Sequence, residues 1–494
     1  MLNRSRALAS VAIIALATGV AAPSWAQETL QEAINLAYRT NPTLLAQRAN
    51  QRALDESIVS ARAGLRPQID VGLSGTHTRT MDDTFGDSDS QSVSASISLS
   101  QTLYSGGRVA LGITATEADI LAGRESLREI EQSVLASVIQ AYADVLRDTE
   151  ILRIRNENLG VLQRQLDEAS ARFEVGEITR TDVAQSEARL AQSEADLANA
   201  RAQLSVSRAA YAAVVGQAPG DLSPLPPLPG VPTDFDAALD VALAENPGVL
   251  AAIYNQQGAE AAVAQARAEY MPSVRVSASY GGSAPSINQL DVIADRNSFQ
   301  TTASVSVPLF TGGLNQSRVA ASLERANAAQ INVEGERRQV LQQVSTAFAQ
   351  AISARSTLTA GEEAVRAASV AAEGVRQEAQ VGLRTNLDVL NQELELRSAQ
   401  VSLASARRNE YVAQASLLAA MGRLEGVDLD PTLTAYDPAA NYERVRNRGA
   451  LPWDGVLESI DRVIAPPIVP ATDAEDAPID AQLKGEVVQT APRN

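Results

Sequence analysis

The chain has 494 residues, with 41 basic and 59 acidic side chains, a formal net charge of −18, one histidine and no cysteine. That acidity excludes nucleic acid as a partner. One His without Cys leaves hydrolytic or metal chemistry to carboxylates alone, so the chain reads as no enzyme and calls for no cofactor. Aromatics make up 4% of residues against 45% hydrophobic in all, a balance suited to closely approaching helices.

Residues 1–26 read as a secretory signal: Arg4 and Arg6 are basic, Ala7–Val20 is apolar, and Ser24-Trp25-Ala26 supplies small residues for cleavage. The apolar run is short of the roughly 20 residues that span a bilayer. Beyond it the chain repeats itself. Asn41-Pro42 recurs as Asn246-Pro247 and Pro67 as Pro272, at an offset of 205. Tyr104-Ser105-Gly106-Gly107 recurs as Phe310-Thr311-Gly312-Gly313, Val175-Gly176 as Val381-Gly382, and Asp182-Val183 as Asp388-Val389, at an offset of 206. A period this long marks a duplicated unit rather than a solenoid. The first repeat covers 27–218 and the second 233–425, joined by a proline-rich linker, 219–232. A polar tail, 426–494, reads as partly disordered or draped on the helices.

Within the first repeat, the segment 67–104 alternates with period two. Ile69, Val71 and Leu73 share one face and Asp70, Gly72 and Ser74 the other; then Val93, Ala95, Ile97 and Leu99 oppose a run of serines. The second repeat does the same over 272–310, where Val274, Val276, Ala278 and Tyr280 precede Phe299, Ala303, Val305 and Val307. Each is a β-hairpin of strands about ten residues long, apolar on one side and small and polar on the other, as in a barrel with lipid outside and water inside. The loops 81–91 and 284–297 read as polar.

Each β-hairpin leads into a helical hairpin, 107–216 and 313–422, without a proline. Val183, Leu190, Leu197, Leu204 and Tyr211 stand seven apart, with Ser186, Ser193, Ala200, Ser207 and Val214 three residues on, a seam of large residues against small ones. The second repeat keeps part of this seam and adds a stripe at Leu387, Leu394 and Val401. Helices apolar along two stripes need neighbours on two sides. Four strands cannot close a barrel, and an open edge in lipid leaves backbone groups unpaired, so several copies would have to share one.

This order of elements, the duplication and the turn motifs Val381-Gly382-Leu383-Arg384-Thr385-Asn386-Leu387-Asp388-Val389-Leu390 and Val175-Gly176-Glu177-Ile178-Thr179-Arg180-Thr181-Asp182-Val183 resemble the outer-membrane factor family, the TolC-like channel-tunnels. The resemblance implies an α+β membrane protein: a trimeric channel-tunnel with a shared twelve-stranded β-barrel in the outer membrane and a long α-helical barrel in the periplasm. It implies an exit channel of a tripartite efflux pump or type I secretion system, docked on a periplasmic adaptor and an inner-membrane pump. It also places a gate at the periplasmic tip. Arg384 would link to Thr181 and Asp182 of a neighbouring hairpin, and Asp388 would form a carboxylate ring on the axis, a possible cation site. Val175, Gly176, Val381, Gly382 and Leu383 would meet the adaptor. Two family positions depart here, Ala379 for a gate tyrosine and Asn391 for a second acidic ring, so fewer links should hold the tip shut.

The residues also permit a plainer reading. Thr179 with Asp182, and Thr385 with Asp388, fit the spacing of a helix-capping box, and Gly176 and Gly382 permit a tight turn. For the whole chain, the alternative is a periplasmic coiled-coil adaptor or scaffold without a pore; the serine-faced strands speak against it.

Overall fold

The computed structural model of the protein describes residues 27–81 and 86–471. The secretory-signal reading of 1–26 and the last part of the tail, 472–494, lie outside the described residues. In chain order the first repeat contains α1 (Leu30–Thr40), α2 (Pro42–Asp55), α3 (Ser57–Arg62), β1 (Gln68–Thr80), β2 (Ser88–Tyr104), α4 (Arg108–Glu174) and α5 (Arg180–Val215). The second contains α6 (Phe235–Glu245), α7 (Pro247–Arg267), β3 (Ser273–Ala284), α8 (Val292–Asp295), β4 (Asn297–Ser306), α9 (Leu314–Gln380) and α10 (Asn386–Ala420), followed by α11 (Gly426–Leu429), α12 (Ala439–Val445) and α13 (Asp454–Arg462).

Each repeat opens on a helix pair broken by Asn-Pro. The proline takes the first helical position, where its missing N–H costs nothing, and the asparagine caps. Asn41 Oδ1 accepts from Thr43 N at 3.0 Å while its Nδ2 donates to Val214 O at 3.0 Å. Asn246 repeats both contacts, with Gly248 N at 2.9 Å and Ala420 O at 3.0 Å. The cap therefore also ties the helix joint to the far end of the helical hairpin in each repeat.

The strands form one antiparallel sheet in the order β1-β2-β3-β4. Ile69 faces Leu99, and the same register recurs where Val274 faces Val305. Across all four strands Val71, Ile97, Tyr280 and Phe299 form one row, and Asp70, Ser98, Ser279 and Gln300 form the neighbouring row on the other face. The apolar face is bare: Val71 is 78% and Phe299 71% exposed. Strand length differs from the ten residues expected, since β2 has 17. The loop after β3 is also less polar than expected. It folds back as α8, with Leu290 and Ile293 lining a shallow cavity against Val71, Leu73, Ile97 and Tyr280.

No proline interrupts residues 68–218 or 309–430, so α4 and α9 run for 67 residues each, about 100 Å at 1.5 Å per residue. Among the described residues no helix is long and apolar enough to cross a membrane. The seam on α5 buries Val183, Leu197 and Tyr211 together with Ser186, Ser193 and Ser207. Its serines are bonded as well as small: Asn158 Nδ2 donates to Ser193 Oγ at 3.1 Å, and Ser207 Oγ donates to the buried Asp148.

Two related cores brace the helices. Leu30, Ala33, Ile34 and Ala37 pack on Val138 and Tyr142; their counterparts Phe235, Ala238, Leu239 and Ala242 pack on Val344 and Phe348. Tyr142 places its hydroxyl 2.8 Å from Glu28 O and 2.7 Å from Ser223 O, which fastens the start of the first repeat to the linker that follows it. Residues 426–471, the described part of a tail expected to be partly disordered or draped on the helices, pack against the rest of the protein. Val445 joins Ile58, Ile113 and Ile120 in a core, and Asp461 is wholly buried.

Candidate functional site

The helical tips are the ends of α4–α5 and α9–α10. Each descending helix stops in a Schellman turn, which satisfies its last carbonyls through a left-handed glycine. Gly176 has φ 79° and donates to Phe173 O at 3.0 Å, while Glu177 N donates to Arg172 O at 2.9 Å. Gly382 has φ 80°, donates to Ala379 O at 3.1 Å, and is followed by Leu383 N to Glu378 O at 2.9 Å. The ascending helices then start with full capping boxes. Asp182 Oδ2 accepts from Thr179 N at 2.9 Å and Thr179 Oγ1 at 2.7 Å; Asp388 Oδ2 accepts from Thr385 N at 3.0 Å and Thr385 Oγ1 at 2.8 Å. The hydroxyl and backbone donors of each threonine hold these exposed carboxyls below the ordinary range. The capping expectation thus holds for both aspartates, and it leaves Oδ2 of each turned to its own threonine.

The turns present apolar side chains to solvent, with Val175 75%, Val381 71% and Leu383 75% exposed. Arg384 does not reach Thr181 or Asp182 of its own chain. It donates instead to Glu378 Oε2, 2.7 Å away on the same hairpin, which raises its pKa further. The two hairpins of one chain are joined by other residues. Asn386 Nδ2 donates to Ser186 Oγ at 3.1 Å, and Arg189 donates to Asn391 Oδ1 at 3.1 Å. Behind them Arg376 and Arg397 flank the buried carboxylate of Glu393. Sequence reasoning missed this set. Ser186 was legible only as a small seam residue and Asn391 only as a missing acid; nothing in a heptad pattern says that the two hairpins meet there.

The geometry describes a four-stranded sheet with one small, polar face, continued by two long helical hairpins with capped, tied tips, and the comparisons with known proteins say what such an arrangement belongs to. The model of the outer membrane efflux protein family matches twice, over residues 33–217 and 238–423, which are the two repeats. The chain belongs to the outer membrane efflux protein family. It is 33% identical to the outer membrane efflux protein BepC of Brucella suis, over 91% of this chain and 96% of that one. It is 27% identical to the outer membrane protein TolC of Escherichia coli, over 81% and 84%. The solved Campylobacter jejuni CmeC outer membrane channel superposes with a TM-score of 0.70 at 15% identity, covering 90% of this chain and 97% of that chain.

This efflux family member is therefore an outer-membrane exit channel with a periplasmic helical tunnel, a component of an efflux or secretion system rather than an enzyme. The scaffold alternative finds no support.

Proposed function

We propose that three copies close one twelve-stranded barrel, with β4 of each copy paired to β1 of the next, and that the helical tips gate the duct. The carrying observation is the β2–β3 joint. β4 is the repeat of β2 and β1 is the repeat of β3, so the joint inside the chain is a template for the joint between copies. Shifting the pair Ser98↔Ser279 by the offsets of 206 and 205 sets Ser304 opposite Ser74 of the next copy. Leu99↔Ala278 becomes Val305 opposite Leu73. Both pairs keep polar with polar and apolar with apolar, which a one-residue slip would reverse.

The chain has no native cysteine, so Ser74→Cys with Ser304→Cys is a clean test. Facing residues of paired strands have Cβ atoms about 4.5–5.5 Å apart, close enough to cross-link. Mild oxidation should give a covalent trimer from the double variant and none from either single one. Cross-linking of Ser74→Cys with Thr302→Cys in preference to Ser304→Cys would reject the register.

At the tip, we carry over the residue roles that the family resemblance implies, which exposure and charge support. Arg384 leaves Glu378 to bind Thr181 and Asp182 of the neighbouring copy when the gate is shut. Asp388 supplies a ring of three carboxylates that takes up multivalent cations. Val175, Gly176, Val381, Gly382 and Leu383 offer the apolar turn apices to a periplasmic adaptor, which connects the duct to the inner-membrane pump.

A further inference from the structure

We propose that α13 lies in the interface of the inner leaflet of the outer membrane, a second anchor that grips lipid at the foot of the barrel. Trp453, Val456, Ile460, Val463 and Ile464 recur at helical spacing along one stripe, and all are exposed, Val456 by 60% and Val463 by 75%. The other sides of the helix are occupied differently. Asp461 faces the protein, accepting from Ser105 N at 2.5 Å, Ser105 Oγ at 2.9 Å and Ala110 N at 3.2 Å. Asp454 accepts from Arg66 Nε at 2.8 Å. Glu458 and Arg462 pair with each other on the polar side.

Those contacts set the height of the helix. Ser105 directly follows the last residue of β2, and Arg66 lies two residues before β1. The outward apolar band of the sheet begins at Ile69, which is 70% exposed. The α13 stripe therefore continues the lipid-facing surface at the level where the hydrocarbon ends. A short helix with a strong apolar face, edged by tryptophan and charged residues, suits the plane of the headgroups. The chain has no cysteine to carry a lipid, so this helix supplies a peripheral hold that the strands alone lack.

The tryptophans of the chain are Trp25 and Trp453; Trp25 lies in the segment read as a cleaved signal, so excitation at the red edge of tryptophan absorption, where the tyrosines do not absorb, reports Trp453 alone in the assembled protein. The assembled protein, inserted in phosphatidylethanolamine–phosphatidylglycerol vesicles with bromine near the top of the acyl chains, should lose most of its Trp453 emission. Bromine at the chain ends should quench it less. Adding Val456→Glu and Ile460→Glu should relieve the shallow quenching while trimer content and conductance persist. Emission indifferent to brominated lipid but quenched by aqueous iodide would put the helix in water and overturn the proposal. Emission sheltered from both quenchers would mean that another copy or chain segment covers the stripe, which overturns it equally. Unrelieved quenching in the double variant would also defeat it, since the stripe would not be the element in contact.

Discussion

The two strand-to-helix corners are built from the same sequence motif and completed in opposite ways. At the first, a Cβ on Gly106 would sit 2.2 Å from Met271 Cβ and one on Gly107 2.3 Å from Ala465 Cβ. At the second, Gly312 and Gly313 hold the same left-handed backbone, with φ 61° and 87°, yet nothing among the described residues approaches within 4 Å of their would-be Cβ atoms. The helices repeat the contrast. The seam of α5 is buried against α4, whereas the extra stripe of α10 leaves Leu387 and Leu394 exposed. The first repeat is finished by its own chain and the second is not. At the second corner the positive φ of Gly312 and Gly313 alone calls for glycine, whereas at the first Met271 and Ala465 also leave no room for a side chain.

The sharpest break in this comparison is Asp461. Its carboxylate reaches the first corner from 356 residues away, whereas the hydroxyl of Thr311, the counterpart of Ser105, makes a long local contact, accepting from Asn315 N at 3.4 Å. Asp461→Ala strands the buried Ser105 and Ala110 N–H groups, a loss of about 3 kcal/mol for a charge-assisted set. Thr311→Ala should lie within about 0.5 kcal/mol of wild type, as for an ordinary surface change. Calorimetric unfolding of the two variants checks this, and equal melting temperatures would erase the difference between the corners.

Much of this arrangement was legible in the sequence because its signals are local or repeated. Alternation at Ile69–Leu73 and Val93–Leu99 fixes which side chains share a face. Gly176 and Gly382 announce left-handed turns, and Thr-x-x-Asp announces caps. The repeat offset even carries register from one hairpin to the other. What stayed hidden depends on contacts between distant segments. The polar texture after Gly426 reads equally as disordered or as draped on the helices, and Asp461 and Val445 find buried partners that no window of sequence contains. Likewise Arg384 was assigned a partner by resemblance, while Glu378, six residues upstream, holds it in the single chain.

The two tips sharpen the comparison at a smaller scale. In the second tip Arg384 pairs with Glu378; in the first the arginine is upstream, with Arg172 facing Glu177 at 3.8 Å and Glu168 at 3.1 Å. Past the first turn Arg180 faces Glu187 of its own helix at 3.8 Å, whereas Arg384 sits in the turn itself, where it can swing to a neighbouring copy. Single-channel recordings should therefore show conductance rising several-fold in Arg384→Ala and unchanged in Arg172→Ala. Equal conductances in all three proteins would confine Arg384 to its own hairpin.

The last and smallest effect separates two aspartates with identical caps. Asp182 and Asp388 are both held below the usual carboxylate value by a threonine hydroxyl and backbone N–H, and Arg384 adds to this at Asp388. A carboxyl depressed in the folded state contributes above its unfolded value and loses that contribution as pH falls through the folded one. Block by a multivalent cation at the Asp388 ring should therefore stay constant on acidification to about pH 4 and fade only below the ordinary value of about 3.9. Asp388→Ala should abolish the block and Asp182→Ala should spare it. In Arg384→Ala the midpoint should move up, because one of the charges favouring the carboxylate is gone. In the proposed ring, three like charges drawn together would act in the opposite direction, raising each other. A block that already fades well above pH 5 in the wild type would mean that this repulsion outweighs the caps, and that the closed tip is narrower than three independent capped hairpins would make it.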